Sequence, residues 1–151
     1  MRIRIKNAHV LTPLEDMGLV NITIKDGVIE GFNIQEPTDK TVDAERQYVA
    51  PGYIDTHIHG YAGIDATEAS PEEILEMSQK LAGRGVTAFL ASTVAAPHEK
   101  LVQACKNITK AAESWSPSKG ARILGPHLEG PYLNPSMKGA MNEAYLRKPS
   151  L

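Results

Sequence analysis

A regular spacing of apolar segments after residue 51 restricts the possible folds of this chain more than any other feature. Segments with strand-like composition end at Ile58, Thr93 and Leu128, at intervals of about 35 residues. A segment with the apolar spacing of a helix separates each pair. Strands that alternate with helices build parallel sheets, as in α/β barrels and doubly wound folds. The spacing therefore predicts an α/β fold.

Two helices are predicted between these strands. Residues 70–73 (SPEE) form a capping box with proline at the first helical position, which predicts a helix to about Ala82. Pro97 begins a second helix, in which the apolar residues recur at helical spacing between residues 101 and 112. Cys105 belongs to this apolar set, and we interpret it as a buried, unreactive thiol.

Residues 1–50 have a different pattern, in which apolar and polar residues alternate. Residues 2–6 and 21–25 are each predicted to form a half-buried strand. Asp26-Gly27 is a tight-turn dipeptide, and residues 28–32 complete a β-hairpin. A polar stretch then leads to a short strand near residue 42. We expect a small antiparallel sheet that is too thin to bury much apolar surface alone.

Composition excludes several classes of function. The chain has 16 Lys and Arg against 18 Asp and Glu, a net charge of -2, and 42% apolar residues. This balance argues against a basic nucleic-acid-binding protein and against an acidic disordered tail. No apolar run approaches a membrane span, and the N-terminus lacks the apolar region of a signal peptide. The single cysteine indicates a reducing compartment, so we expect a cytoplasmic protein without nucleic-acid or membrane partners.

Two histidines at the end of the first strand after residue 51 are candidate metal ligands. His57 and His59 are two residues apart, so their imidazoles project from one face of the strand. Neutral imidazoles bind zinc or iron, and barrel active sites lie at the carboxyl ends of strands. Asp55 shares this face and is a candidate hydrogen-bond acceptor that orients a ring. The alternative is a surface histidine pair beside a flexible loop, because the motif is short.

Glu129 directly follows the third strand and is the third candidate ligand. The carboxyl ends of barrel strands meet at one end of the barrel, which would bring this carboxylate to the two imidazoles. A His-His-Glu set that leaves a position for water is typical of metal-dependent hydrolysis. The alternative is a solvated glutamate at the turn of residues 130–131. We interpret the glycine-rich loop of residues 60–65 as a pocket wall, and His9 and His98 as surface residues.

Several motifs resemble a known enzyme family. Residues 51–60 (PGYIDTHIHG) resemble the first-strand signature of the amidohydrolase superfamily. Residues 125–134 (GPHLEGPYLN), followed by residues 138–140 (KGA), resemble the narrower signature of the N-acetylglucosamine-6-phosphate deacetylases. Residues 85–93 (GVTAFLAST) are similar to the second strand of that family. The resemblance covers essentially the whole chain.

The resemblance implies a metal-dependent hydrolase of amino-sugar catabolism. Its substrate is a small amino-sugar phosphate, N-acetylglucosamine 6-phosphate, which it hydrolyses to glucosamine 6-phosphate and acetate. The implied fold is a (β/α)8 TIM-type barrel with a small β-sandwich domain. Residues 1–50 would form the N-terminal part of the sandwich, and residues 51–151 the first three strands of the barrel. The complete enzyme is expected to be a homodimer that holds one or two divalent ions, zinc or iron.

The resemblance also implies roles for individual residues. By motif position, Glu129 is the metal ligand shared across the family, and His57 and His59 match the ligand pair of members that bind a second metal. The family's acid/base aspartate and two further histidines are expected beyond Leu151. No catalytic residue is therefore assigned in this chain.

Ala140 and Met141 occupy positions at which the family's loop contacts substrate, and Met141 replaces a more usual His or Gln. A closed barrel needs eight strands, typically in about 250 residues, so we expect these 151 residues alone to be incomplete and inactive. Two alternatives remain: a truncated, non-catalytic module, and a deacetylase that acts on N-acetylgalactosamine 6-phosphate.

Overall fold

The computed structural model of the chain describes residues 1–149, which form two compact units. The first unit is Met1–Pro51, and the second begins at Gly52. Each unit has its own cluster of buried apolar side chains. Among the residues described, no helix combines the length and the apolar character needed to cross a bilayer.

The first unit is a five-stranded sheet. Its strands are β1 (Arg2–Leu11), β2 (Asp16–Lys25), β3 (Val28–Phe32), β4 (Lys40–Asp43) and β5 (Tyr48–Val49). β2 pairs antiparallel with both β1 and β3. Asp26 and Gly27 connect β2 to β3 with φ values of 51° and 84°. Two positive φ angles are what a tight hairpin turn requires, so the predicted hairpin is confirmed.

The sheet is mixed, and the prediction of an antiparallel sheet is wrong. β4 and β5 both pair parallel with β1. The polar segment of residues 33–39 is long enough to carry the chain back from the end of β3, so that β4 runs in the same direction as β1. The Arg4 guanidinium anchors this segment by donating hydrogen bonds to the carbonyl oxygens of Ile34 and Glu36.

The second unit contains a three-stranded parallel sheet in the order β10-β9-β6, with two helices and a short hairpin. Its elements are β6 (Tyr53–Ile58), β7 (Gly60–Tyr61), β8 (Ile64–Asp65), α1 (Pro71–Ala82), β9 (Val86–Thr93), α2 (His98–Ser114) and β10 (Arg122–Leu128), with 3-10 turns at Pro117–Lys119, Pro135–Met137 and Glu143–Tyr145. The three parallel strands end at Ile58, Thr93 and Leu128, as predicted. The α/β prediction is therefore confirmed for this unit.

Helix α1 begins as its sequence predicts. The Ser70 hydroxyl accepts a hydrogen bond from the Glu73 backbone N–H at 3.2 Å, and the Glu73 carboxylate accepts one from the Ser70 N–H at 2.7 Å. These two bonds form the predicted capping box. They satisfy two backbone groups that would otherwise lack partners at the helix start.

The buried face of α2 differs from the predicted apolar face. Its buried residues are Leu101, Ala104, Ile108 and Ala111. Val102 is 38% exposed and Cys105 is only half-buried, because both lie beside this row rather than in it. The prediction that Cys105 is buried is therefore wrong. Partial burial nevertheless raises the pKa of its thiol, which disfavours the reactive thiolate.

Candidate metal site

Three side chains meet at the carboxyl end of the parallel sheet. His57 is the second-last residue of β6, His59 directly follows that strand, and Glu129 directly follows β10. The Nε2 atoms of His57 and His59 are 3.2 Å apart. Oε2 of Glu129 lies 2.7 Å from Nε2 of His57 and 2.9 Å from Nε2 of His59. The three ligand atoms are close enough to bind one ion.

Glu129 carries its negative charge in this arrangement. The hydrogen bond with the ring of His57 lowers the pKa of the Glu129 carboxyl below its usual value, and the neighbouring ring of His59 acts in the same direction. Partial burial opposes this effect but is the weaker influence. An anionic carboxylate is the form that binds metal ions.

The ring of His59 is oriented by a backbone contact. Its Nδ1 lies 3.1 Å from the carbonyl oxygen of Ser92 in β9. A carbonyl oxygen can only accept a hydrogen bond, so Nδ1 of His59 carries a proton. In a neutral ring, Nε2 therefore presents a lone pair toward the cluster.

The donor set fits a divalent cation. A neutral His59 directs its Nε2 lone pair at a carboxylate oxygen of Glu129, and two such groups attract each other only through a shared proton or cation. Two imidazole nitrogens and one carboxylate oxygen are ligands for both zinc and iron. Hydrogen-bonded second ring nitrogens are usual among metal-binding histidines.

Asp55 does not orient a histidine ring, which corrects the sequence interpretation. Its Oδ1 instead accepts a hydrogen bond from the backbone N–H of His57 at 3.1 Å. A short carboxylate readily bonds to the backbone two residues ahead of it. Asp55 thereby fixes the backbone at the end of β6 rather than an imidazole.

His127 is a neighbour of the cluster that was not predicted from the sequence. Its ring lies edge-on to that of His57, with centroids 4.7 Å apart, and its Nδ1 is 2.8 Å from the Ser92 hydroxyl. The signal was available in the sequence, since His127 precedes Glu129 by two residues, the spacing that marked the first histidine pair.

A cavity of about 660 Å³ opens beside the cluster. His59 and Glu129 lie in its wall, together with Ala140, Met141, Lys100 and Lys138.

Ala140 is exposed, whereas Met141 is 8% exposed. Sδ of Met141 accepts a hydrogen bond from the Ala95 backbone N–H at 3.2 Å, and its carbonyl accepts one from Lys138 Nζ at 3.0 Å. Met141 therefore anchors this loop.

The glycine-rich segment of residues 60–65 does not line this cavity, contrary to its interpretation as a pocket wall. It forms the β7–β8 hairpin, and its side chains Tyr61 and Ile64 pack against the buried core of the second unit. Only glycine fits at position 60 of this hairpin, because a Cβ atom there would lie 2.1 Å from the carbonyl oxygen of Ile64.

His9 and His98 lie outside the cluster. His9 contacts Asp16, and His98 is exposed at the start of α2.

Comparison with known families decides the classification. A family model described as the amidohydrolase family matches residues 48–150. The chain belongs to the amidohydrolase family. The matched segment includes the three parallel strands and all three residues of the metal-binding cluster, so the cluster lies in the part of the chain that carries the family's features.

Curated amidohydrolase relatives confirm the narrower resemblance. N-acetylglucosamine-6-phosphate deacetylase of Bacillus subtilis (strain 168) is 38% identical over 149 residues, which cover 95% of this chain and 37% of that protein. N-acetylgalactosamine-6-phosphate deacetylase of Escherichia coli O157:H7 is 38% identical over 120 residues, or 79% of this chain and 30% of that protein. The chain thus spans about a third of the length of these relatives.

A solved structure shares the fold. N-acetylglucosamine-6-phosphate deacetylase from Pasteurella multocida aligns with a TM-score of 0.85 and 22% sequence identity. The alignment covers 99% of this chain and 40% of that chain. At this identity the similarity establishes the fold alone.

Proposed function

We propose that this chain forms the metal-binding end of a deacetylase that acts on an amino-sugar phosphate. The reaction is hydrolysis of the acetamide of N-acetylglucosamine 6-phosphate, which gives glucosamine 6-phosphate and acetate. The observation that carries the proposal is the meeting of His57, His59 and Glu129 at the strand ends of an amidohydrolase-family segment. The names of the curated relatives support the substrate class.

The proposal includes an architecture for the whole enzyme. β6, β9 and β10 are the first three strands of a (β/α)8 barrel, within residues 51–151, and residues 1–50 are part of a small β-sandwich domain. The parallel order of the three strands supports the barrel, since parallel strands joined by helices are its repeating unit. The complete enzyme is proposed to be a cytoplasmic homodimer.

His57, His59 and Glu129 are the proposed ligands of one or two divalent ions, zinc or iron. When bound, such an ion supplies a Lewis acid and lowers the pKa of water toward neutrality. The residues of the chain prepare the site: Glu129 provides negative charge, and the hydrogen bond to Ser92 directs the free Nε2 of His59 into the cluster.

Ala140 and Met141 are the proposed substrate contacts. The cavity beside the cluster is large enough for a sugar phosphate, and both residues lie in its wall. Since the Met141 side chain is bound to Ala95, we propose that its buried thioether fixes the loop while Ala140 faces the sugar. Lys100 and Lys138 also lie in this wall, where Lys100 is paired with Glu68 and Lys138 donates to the Met141 carbonyl. Among the residues that the structure describes, Lys138 is therefore the cation in this wall that has no carboxylate partner, and we propose it as a contact for the phosphate.

Metal binding by the chain tests the site directly. Calorimetric titration with ZnCl2 is expected to give saturable binding to the wild-type chain and a Kd at least about tenfold weaker for His59→Ala. His98→Ala is the matched control, because His98 is exposed and outside the cluster. A folded wild-type chain that binds no zinc, or an equal loss in both variants, would contradict the proposed site.

Acetate release tests the reaction. The product of the complete open reading frame that encodes these residues is expected to release acetate from N-acetylglucosamine 6-phosphate, to lose activity with a chelator, and to regain it with zinc or iron. The 151-residue chain by itself is expected to release none. A complete product that stays inactive with every metal tested would favour the non-catalytic module.

A second substrate is N-acetylgalactosamine 6-phosphate, which the name of the E. coli relative favours. Its sugar differs from the first only in the configuration of one ring hydroxyl, so the two compounds form a matched pair. We expect the higher kcat/KM with the glucosamine derivative. A higher value with the galactosamine derivative would reverse the assignment.

A further inference from the structure

Ser92 touches two histidines of the site through two different oxygen atoms. It lies in β9, between β6 and β10, and its side chain is fully buried. Its carbonyl oxygen accepts the hydrogen bond from His59 Nδ1, and its hydroxyl lies 2.8 Å from Nδ1 of His127. One residue of the middle strand thus contacts an imidazole at the end of each neighbouring strand.

The sheet explains why the carbonyl oxygen is available. Pairing between β6 and β9 ends with Ile58 opposite Ala91. Ser92 is one residue further along β9, where β6 no longer supplies a backbone partner on that side. The ring of His59 takes this place, in accordance with the general pairing of buried backbone carbonyls. The contact therefore follows from the point at which β6 ends.

The hydroxyl of Ser92 contacts the strand on the other side of β9, which is β10. Ser92 lies opposite His127 in the register of β9 and β10. The ring of His127 packs edge-on against His57, at an interplanar angle of 74°. Holding His127 therefore limits the rotation of His57, which is one of the proposed metal ligands.

We propose that Ser92 is a positioning residue for the metal-binding cluster. Its carbonyl keeps the proton of His59 on Nδ1, so that Nε2 is free to bind metal, and its hydroxyl holds His127 as a support for His57. This inference rests on the proposed function, because the orientation of the two rings matters for function only if they bind a metal ion. Serine suits this position because its small side chain leaves space above β9, where Glu129 reaches across to His57.

The first test uses the wild-type chain without metal. Nitrogen-15 NMR of the histidine rings is expected to show His59 with a protonated Nδ1 and an unprotonated Nε2. A His59 ring with the proton on Nε2 would overturn the carbonyl part of the proposal. Because this measurement needs neither metal nor substitution, it remains decisive even if the proposed function fails.

The second test removes the hydroxyl alone. In Ser92→Ala the nitrogen-15 signal of His127 Nδ1 is expected to shift, because this nitrogen loses its hydrogen-bond partner. His59 is expected to keep its proton on Nδ1, because the carbonyl of residue 92 remains. The Kd for zinc is expected to rise about tenfold. Unchanged His127 signals, or an unchanged Kd, would overturn the hydroxyl part.

Ser78→Ala is the matched control for a merely structural effect. Ser78 is also a fully buried serine, and its hydroxyl donates to the carbonyl of Ala121 in another part of the unit. Its substitution is expected to lower stability without changing the histidine signals or the Kd. Equal changes in the Ser78 and Ser92 variants would overturn the proposal. Absence of zinc binding in the wild type would refute the proposed function. The nitrogen-15 signals would still test whether Ser92 positions the two histidine rings.

Discussion

Oε2 of Glu129 lies 2.7 Å from Nε2 of His57, although the two residues are 72 positions apart in the chain. They belong to the ends of β6 and β10, which are not neighbours, since β9 lies between them. Their contact therefore crosses the middle strand. It depends on all three strands ending at the same level and on a small residue, Ser92, at that level of β9.

Replacing the carboxylate of this pair should weaken metal binding. Glu129→Gln keeps the shape of the side chain but removes the negative charge, so we expect the Kd for zinc to rise by at least about tenfold. Calorimetric titration measures this change. Glu113→Gln, at an exposed position near the end of α2, is the control. Equal affinities for the Glu129 variant and the wild type would show that the carboxylate is not a ligand.

Removing the cap of α1 should lower the stability of the second unit. Ser70→Ala deletes the hydroxyl that accepts from the Glu73 N–H, and such a loss costs about 1 kcal/mol. Urea unfolding followed by circular dichroism provides the free energy of unfolding. Ser118→Ala, which removes an exposed hydroxyl in a 3-10 turn, should have little effect. A cap variant as stable as the wild type would mean that the capping box is not formed in solution.

The same cap should make stability depend on pH. The hydrogen bond from the Ser70 backbone N–H lowers the pKa of the Glu73 carboxyl in the folded chain. The resulting stabilisation is present above the pKa of an unfolded glutamate, about 4.3, and is lost as the pH falls through the lower folded value. We expect the stability difference between the wild type and Glu73→Gln to shrink from pH 7 to pH 3 in urea titrations. A difference that stays constant over this range would contradict the assignment.

Gly120 should not tolerate a side chain. It has φ of +115°, and a Cβ atom would lie 2.6 Å from the carbonyl oxygen of Ser78. Gly120→Ala should therefore cost more than Gly63→Ala, whose φ is +87° but which has open space around it. The backbone strain alone costs about 1–3 kcal/mol. Fluorescence of Trp115, which donates to the Gly120 carbonyl, reports unfolding, and equal losses in both variants would exclude the steric contribution.

The core beneath the parallel sheet should respond to the loss of a single methylene group. Ile108 is fully buried on α2, so Ile108→Val should destabilise the unit by about 1 kcal/mol. Val102→Ala removes more atoms from a position that is 38% exposed and should cost less than about 0.5 kcal/mol. Denaturant titrations compare the two. A larger loss of stability for Val102→Ala than for Ile108→Val would contradict the buried face seen in the structure. It would instead support the face predicted from the sequence, which includes Val102.

Local signals account for the features that the sequence predicted well. The Ser70 capping box, the Asp26-Gly27 turn and the end of β9 at Thr93 each depend on a few adjacent residues, and the structure confirms all three. The deacetylase resemblance could be recognised because its motifs are contiguous stretches of sequence. The similarity to the Bacillus subtilis deacetylase confirms it.

The errors arose where the outcome depends on a distant partner. Asp55 is an exception, because its carboxylate has the right chemistry to orient a ring but bonds locally to the backbone N–H of His57. Cys105 has the right helical spacing to be buried, but burial is decided by the strands that face α2. The direction of β4 was mispredicted for the same reason, since the segment that precedes it folds back against Arg4 of β1.

The linear pattern of residues was enough to predict that strands and helices alternate after residue 51 and that His57, His59 and Glu129 lie at the ends of strands. These properties follow from apolar spacing and from the period-two geometry of a strand. The position of β9 between β6 and β10, and the contacts of Ser92 with both His59 and His127, became visible in the folded chain. Strand order and side-chain contact depend on which surfaces pack together, and a linear pattern does not specify those surfaces.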